Sequence, residues 1–450
     1  MARFSSNETG AGVLSQTPYV GPVLYEPIGT KSQVAVAGCF LVGLAAPFYI
    51  RAGVLLYFSD LIFTFVAIYA VLSKLKSPKF WVKPLRVLLF TLGLTLLSYL
   101  ATDLIKGTPY DNMLRGLGRT LFLGISILGL FFIVRNHASR LCAYVGGFAI
   151  GQAACFAILG SPNVGNTDNW KFGYATPVTL IMVLAAGRLY LRSLRLAVGA
   201  LGSLIVIYLF FDFRNAALSL TAVAIALIYR KGRAANLKSL RGPLLLTVAI
   251  GIAGFYAFTY ASTSGEYSRR RTGSNVARYV GLINSLHSIA KQPILGRGSW
   301  MSDAENDVNY KTLYWKLTGK RFYGVIGESQ DFGAHSQILS AWYEGGILAP
   351  IFFGVLFWQA VQLLLYARKR PIDAIYPLAI YVLVDGLWNI LLSPFSGEHR
   401  HQLTTFVIMV VLLATEKQLS KMMNERKTTA YAFGTQTWQR YRRGSNSPIS

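Results

Sequence analysis

The stretch LRVLLFTLGLTLLSYLATDLI, Leu85 to Ile105, decides the fold class of this chain. It is almost wholly apolar and close to the ~20 residues a helix needs to cross the hydrocarbon core of a bilayer. Similar stretches recur outward from it in both directions: Val34 to Ile50, Val54 to Leu72, Thr120 to Val134, Leu141 to Leu159, Phe172 to Ala186, Leu196 to Phe211, Ala216 to Tyr229, Pro243 to Tyr260, Ser336 to Ala367, Ile375 to Leu392 and Leu403 to Thr415. About twelve transmembrane helices are expected from their lengths. With 53% hydrophobic and 14% charged residues over 450 positions, and a mean hydropathy of +0.43, the chain is more apolar than a soluble core can use. The expected fold is an all-α polytopic membrane protein.

A net charge of +25, carried by 44 Lys and Arg, would suit nucleic acid, but its distribution excludes that partner. The cations gather between apolar stretches, in alternate loops. These hold Lys74, Lys76, Lys79, Lys83 and Arg86; Arg135 and Arg140; Arg188, Arg192 and Arg195; Arg230, Lys231, Arg233, Lys238 and Arg241; and Arg368, Lys369 and Arg370. The positive-inside rule makes those loops cytoplasmic. Both termini then lie in the cytoplasm, which requires an even number of spans. Residues 262–331 break the pattern, because they are strongly basic yet parity places them outside. Long loops are exempt from the rule, so this charge calls for another explanation. The expected organisation is a polar cytoplasmic N-terminus (1–33), transmembrane helices 1–9 (34–260), an external loop (261–335), transmembrane helices 10–12 (336–415) and a basic cytoplasmic tail (416–450).

Met1 to Gln33 has no short apolar core with a cleavage site, so the first span is expected to target the membrane itself. Cys39, Cys142 and Cys155 all fall in apolar spans and read as small buried thiols. Neither a disulfide framework nor a zinc site follows from them.

The external loop has internal order. After the basic Ser268 to Ser274, the positions Val276, Tyr279, Val280, Ile283, Leu286 and Ile289 recur at helical spacing within Asn275 to Lys291. An amphipathic helix on the membrane surface is expected, carrying Arg278. The bland reading of Arg278 is a side chain snorkelling to lipid headgroups. Gln292-Pro293 ends the helix, and Ile294 to Trp300 reads as a glycine-dependent turn containing Arg297. The loop closes on Gly333-Ala334-His335-Ser336-Gln337-Ile338-Leu339, with His335 at the start of the next helix.

A second charged site, Asp212 and Arg214, interrupts the apolar sequence from Leu196 to Tyr229. Charge near a membrane is costly, so function is the default reading, beside the alternative of an ion pair marking a turn. Parity puts this turn, the amphipathic helix and His335 on the same external face.

Three motifs carry a resemblance: Arg214-Asn215-Ala216-Ala217 at a turn into a small-residue helix, an arginine-led helix ending Gln-Pro-Ile-Leu-Gly-Arg-Gly (Arg278 to Gly298), and Ala-His-Ser-Gln-Ile-Leu followed by Trp-Tyr-Glu-Gly-Gly-Ile (Ala334 to Ile347). Together they resemble the O-antigen ligase and O-antigen or exopolysaccharide polymerase family, over roughly Arg214 to Gly354 in motif. The chain departs from that family's usual pattern at Ser336, where Asn is common, and at Leu348-Ala349, where Gly-Leu is common. The resemblance implies a GT-C-like fold in a bacterial inner membrane and a metal-independent glycosyltransferase without cofactor, its active site facing the periplasm. Its donor would be a glycan on undecaprenyl diphosphate, and its acceptor a hydroxyl of a glycan or of lipid A core. Arg214 and Arg278 would hold the diphosphate, with Arg297 a weaker carry-over, and His335 would lie at the acceptor hydroxyl.

The residue types suit that chemistry. Charge building on a diphosphate leaving group needs a metal or fixed donors. Guanidinium groups supply planar, bidentate, permanently charged donors. A neutral imidazole can take the acceptor's proton near neutral pH.

Other candidates carry quieter readings. Glu344 is out of phase with His335 on a straight helix and is expected to contact a neighbouring helix, with the following glycines allowing close packing. Glu398-His399-Arg400-His401 reads as a charged external turn, and Asp303, Glu305 and Asp307 as a solvated acidic cluster. Trp300, Tyr310, Tyr314, Trp315, Phe322 and Tyr323 could stack on sugars or belong to an interfacial belt. Within the transferase class the expected member is a polymerase, with a ligase that caps lipid A core as the alternative. A flippase or transporter using Asp60, Asp103 and Asp385 remains an alternative, as does a non-catalytic partner of other polysaccharide assembly proteins.

Overall fold

The computed structural model describes residues 30–52, 54–74, 81–135, 137–160, 173–211, 213–234, 265–301, 304–319, 336–368, 370, 372–393 and 400–444. Among these residues the chain forms fourteen helices and one short hairpin. The helices are α1 (Thr30–Ala45), α2 (Phe58–Lys74), α3 (Lys83–Lys106), α4 (Tyr110–Val134), α5 (Ala138–Leu159), α6 (Ala175–Arg192), α7 (Leu194–Phe210), α8 (Arg214–Ala234), α9 (Gly265–Lys291), α10 (Ala304–Thr318), α11 (Gln337–Gly345), α12 (Ile351–Ala367), α13 (Tyr376–Leu392) and α14 (Arg400–Gly444). Five are long and apolar enough to cross a membrane: α3, α4, α5, α6 and the Arg400–Met423 part of α14. Shorter apolar helices accompany them in α1, α2, α7, α12 and α13. The chain is a helical membrane protein. The expected span from Pro243 to Tyr260 lies outside the described residues.

Two expectations are corrected. Tyr49–Ala52 and Val54–Tyr57 form an antiparallel hairpin, β1 and β2, although their apolar residues read as parts of helical spans. Pro47 cannot continue the α1 hydrogen-bond ladder, and the residues after it are rich in Tyr, Ile and Val, which favour strands. The stretch Ser336 to Ala367 is also two helices instead of one. Gly346 sits at φ 81°, a conformation that ends α11, and Pro350 precedes α12.

α13 and α14 form the centre. α13 packs against α6, α8, α11, α12 and α14, while α14 also packs against α3 and α4. α1 lies on α5 at backbone distance. A Cβ on Gly147 would strike the carbonyl of Phe40, and one on Gly151 that of Leu44. This Gly-x-x-x-Gly seam is the small-residue packing that holds helices together in lipid. Gly147→Val is therefore expected to lower thermal stability in detergent by about 2 kcal/mol, since neither backbone can yield. Gly146→Val, whose Cβ would meet only Leu184 Cδ1 at 3.6 Å, is the matched control and is expected to cost far less.

The two ends of the bundle differ. At one, Arg230 of α8 donates to the carbonyls of Arg368 and Arg370, at 2.7 and 2.6 Å. Arg370 in turn pairs with Asp373 and Glu416, at 2.8 and 2.9 Å, and a Cβ on Gly187 near the end of α6 would strike the carbonyl of Ala374. Several loops expected to be cytoplasmic thus meet at one end. The α3–α4 turn, the start of α8, the segment after α9 and the end of α11 belong to the other.

Candidate active site

At that second end, residues Pro293 to Trp300 form a strap stitched across the bundle. Main-chain bonds run from Arg297 N–H to the Tyr343 carbonyl (2.8 Å), from Gly298 N–H to the Glu344 carbonyl (3.0 Å) and from Ile347 N–H to the Ile294 carbonyl (3.2 Å). The Trp342 indole donates to the Pro293 carbonyl at 2.8 Å. Asp103, at the end of α3, accepts from Ser299 N–H (2.6 Å), Ser299 Oγ (2.8 Å) and Thr108 Oγ1 (2.9 Å). Beneath the strap, Arg119 of α4 forms a buried ion pair with Glu344 of α11. The same guanidinium donates to Tyr99 Oη at 3.3 Å and lies 5.7 Å from the Trp300 ring centroid. Trp300 adopts φ 53°, which costs a non-glycine residue roughly 1–2 kcal/mol. Asn112, donating to its carbonyl at 3.2 Å, helps to hold it there.

Glu344 thus contacts a neighbouring helix, as expected, and its partner is an arginine the sequence reading passed over. The end of α11 is drawn equally close: Ser98 and Thr102 of α3 donate to the Gly345 carbonyl at 2.6 and 3.0 Å.

A second feature lies beside α11's other end. Ser336 caps that helix: its hydroxyl accepts from Leu339 N–H at 3.4 Å and donates to the Ile390 carbonyl of α13 at 3.2 Å. Next to it, Gln337 lines a small pocket with Thr176, Tyr381, Asp385, Asn389, Gln402 and Thr405, amid apolar residues of α5, α6, α13 and α14. Asp385 accepts from Asn215 of α8 (3.2 Å) and from Asn389 (3.0 Å). Among the described residues, the side-chain carbonyl oxygens of Asn215 and Gln337 are buried and accept no hydrogen bond. Planar amides, a carboxylate and neighbouring rings form a chemistry that recognises hydroxyl-rich molecules.

The site candidates divide as follows. Arg214 is half-buried and opens α8, one residue before Asn215. Arg297 is half-buried in the strap, its backbone tied to Tyr343. Arg278 is exposed on α9, which packs on α10 and α11. His335 lies outside the described residues, as do Asp212, Asp303, Phe322, Tyr323, Glu398 and His399. The other half of that last motif is a correction. Arg400 and His401 are not a charged external turn but are buried at the start of α14. Arg400 pairs with Asp60 at 2.5 Å, and His401 contacts Ser59 at 3.4 Å and the edge of Tyr57. Burial is tolerated because the charge arrives with its counter-charge.

The apolar set expected on one face of α9 is also divided. Val280 and Ile289 are buried, whereas Tyr279, Ile283 and Leu286 are exposed. The three carboxylates weighed as a transport pathway sit in separate environments: Asp60 on Arg400, Asp103 on Ser299 and Thr108, and Asp385 on two asparagines. Among the described residues no group of three or more His, Cys, Asp or Glu is placed to hold a metal.

The residues the sequence reading missed had signals. Arg119 directly precedes an assigned span, and Asn389 stands i, i+4 from Asp385, which was weighed only for transport, on an apolar helix. Compared with protein-family models, curated proteins and solved structures, the chain finds no match.

Proposed function

We propose that this chain is a polysaccharide polymerase of the O-antigen or exopolysaccharide type, moving a glycan from undecaprenyl diphosphate to an acceptor sugar hydroxyl on the outer face of an inner membrane. One observation carries the reading. The residue after Arg214 and the two residues after His335 pack against the same stretch of α13: Asn215 on Asp385, Ser336 on Ile390, and Gln337 on the pocket that Asp385 lines. Two motifs more than a hundred residues apart in sequence therefore meet the same stretch of α13, between Asp385 and Ile390. The departure at Ser336 also finds a reason, since Ser and Asn are comparably good helix N-caps.

In this mechanism Arg214 and Arg278 hold the donor diphosphate and stabilise it as it leaves. The imidazole of His335 takes the proton of the attacking hydroxyl, and the new glycosidic bond forms as the bond to diphosphate breaks. Arg297 is tied to α11 by the strap and meets the same anionic leaving group from another side. The Gln337 amide oxygen and the Asp385 carboxylate, which line the pocket, accept hydroxyl protons from the glycan.

The test is transfer by the purified protein from a polyprenyl-diphosphate glycan. Arg214→Ala and Arg278→Ala are each expected to lower kcat by about 10²–10³-fold, the cost of removing a donor aimed at developing charge. Lysine at either position should restore part of that loss, because it returns the charge but not the bidentate geometry. Transfer at the wild-type rate in both alanine variants would sink these roles. A deletion strain separates the two transferase readings: short, unpolymerised glycan on the cell surface marks a lost polymerase, and full-length glycan left on its lipid carrier marks a lost ligase.

A further inference from the structure

Helix α9 is amphipathic in the reverse of the usual sense. Its inward face is small and polar, with Gly281, Asn284, Ser285 and Ser288 buried beside Val280 and Ile289. Its outward face carries Tyr279, Leu282, Ile283 and Leu286, which are 53%, 37%, 37% and 44% exposed. These four positions follow i, i+3, i+4, i+7, so they form one stripe about 10 Å long. A helix lying on a water-facing protein does the opposite, burying its leucines and offering its serines to solvent. Such a stripe is suited to an apolar medium.

The stripe has a polarity along its length. Arg278, exposed, stands at its head, and the apolar side chains run from there toward Lys291 with no further cation between. A helix that is basic up to Arg278 and then offers two turns of hydrocarbon is the complement of a molecule with an anionic head and a long apolar tail.

We propose that the outward stripe of α9 seats the polyisoprenoid chain of the donor, its diphosphate at Arg278 and its first isoprene units along Tyr279, Leu282, Ile283 and Leu286. This rests on the transferase reading above and assigns the lipid half of the substrate to a surface. It explains why the segment is basic and yet outwardly apolar: the helix recognises both halves of one ligand. The hydrocarbon of ordinary bilayer lipids is the competing occupant, and tail length tells the two apart.

The experiment uses the full-length protein in detergent and two synthetic donors with the same diphosphate-linked glycan, one on a long polyprenyl chain and one on a two-isoprene chain. In the double variant Leu282→Ser, Leu286→Ser, the KM for the long-tailed donor is expected to rise about tenfold relative to the KM for the short-tailed donor, with kcat for both retained. Leu282→Ile, Leu286→Ile keeps the apolar surface and is expected to restore the wild-type ratio. An unchanged ratio in an active serine variant overturns the proposal, because the stripe then meets bulk lipid and not substrate. A serine variant that weakens both donors equally overturns it too, since tail recognition must be selective. A wild-type protein that transfers neither donor removes the transferase reading, and this inference with it.

Discussion

Glu344→Gln is expected to destabilise the protein by about 3–5 kcal/mol, the cost of leaving a buried charge without its partner. Arg119 and Glu344 have side chains only 6% and 8% exposed, so water cannot take over the role of the lost carboxylate. Glutamine keeps the shape and one acceptor oxygen but removes the charge. The damage should spread, because Arg119 also faces Tyr99 and Trp300, and the Glu344 carbonyl anchors the strap through Gly298. The converse distinguishes pairing from mere packing. Arg119→Met with Glu344→Met removes both charges together and is expected to recover most of the loss, since apolar replacements of buried pairs are often neutral. Thermal unfolding of the two variants and the wild type in one detergent measures this. A single variant as stable as wild type would mean that the pair contributes nothing to the fold.

His335→Ala is expected to act on turnover and not on folding, lowering kcat by about 10²–10⁴-fold. A histidine just before a helix invites a capping role, but that role is taken. Ser336 provides the cap for α11 and ties it to α13 through Ile390, and neither bond involves the preceding side chain. The unfolding temperature of His335→Ala should therefore match wild type while its transfer rate collapses. Ser336→Ala should show the reverse emphasis, losing about 1 kcal/mol of stability with the helix cap. If His335→Ala unfolds early and retains its turnover, the histidine is structural.

Most helices could be read in the sequence, because the length of an apolar run depends on the bilayer and not on neighbours. The exceptions share a cause. β1 and β2 have the hydropathy of the helices around them, and the break at Gly346 falls in a Glu-Gly-Gly sequence that reads equally well as a close-packing site within one helix. In α9 the spacing correctly identified a helix, but periodicity shows that faces differ without showing what each face meets. That the Arg214 and His335 motifs belong to one face could be argued only from loop parity. Asn215 and Ser336, the residues that follow them in sequence, both reach α13, at Asp385 and Ile390. The Arg119–Glu344 pair joins positions far apart in the chain, and no local pattern links them.

The most direct measurement of the central claim is transfer by the purified wild-type protein, with polyprenyl-diphosphate glycan as the sole donor, in excess chelator, beside Arg214→Ala, Arg278→Ala and His335→Ala of confirmed fold. The wild type is expected to give glycosidically extended product at an undiminished rate in chelator, and all three variants to lose nearly all transfer. Four proteins that behave alike, or a wild type silenced by the chelator, would contradict it.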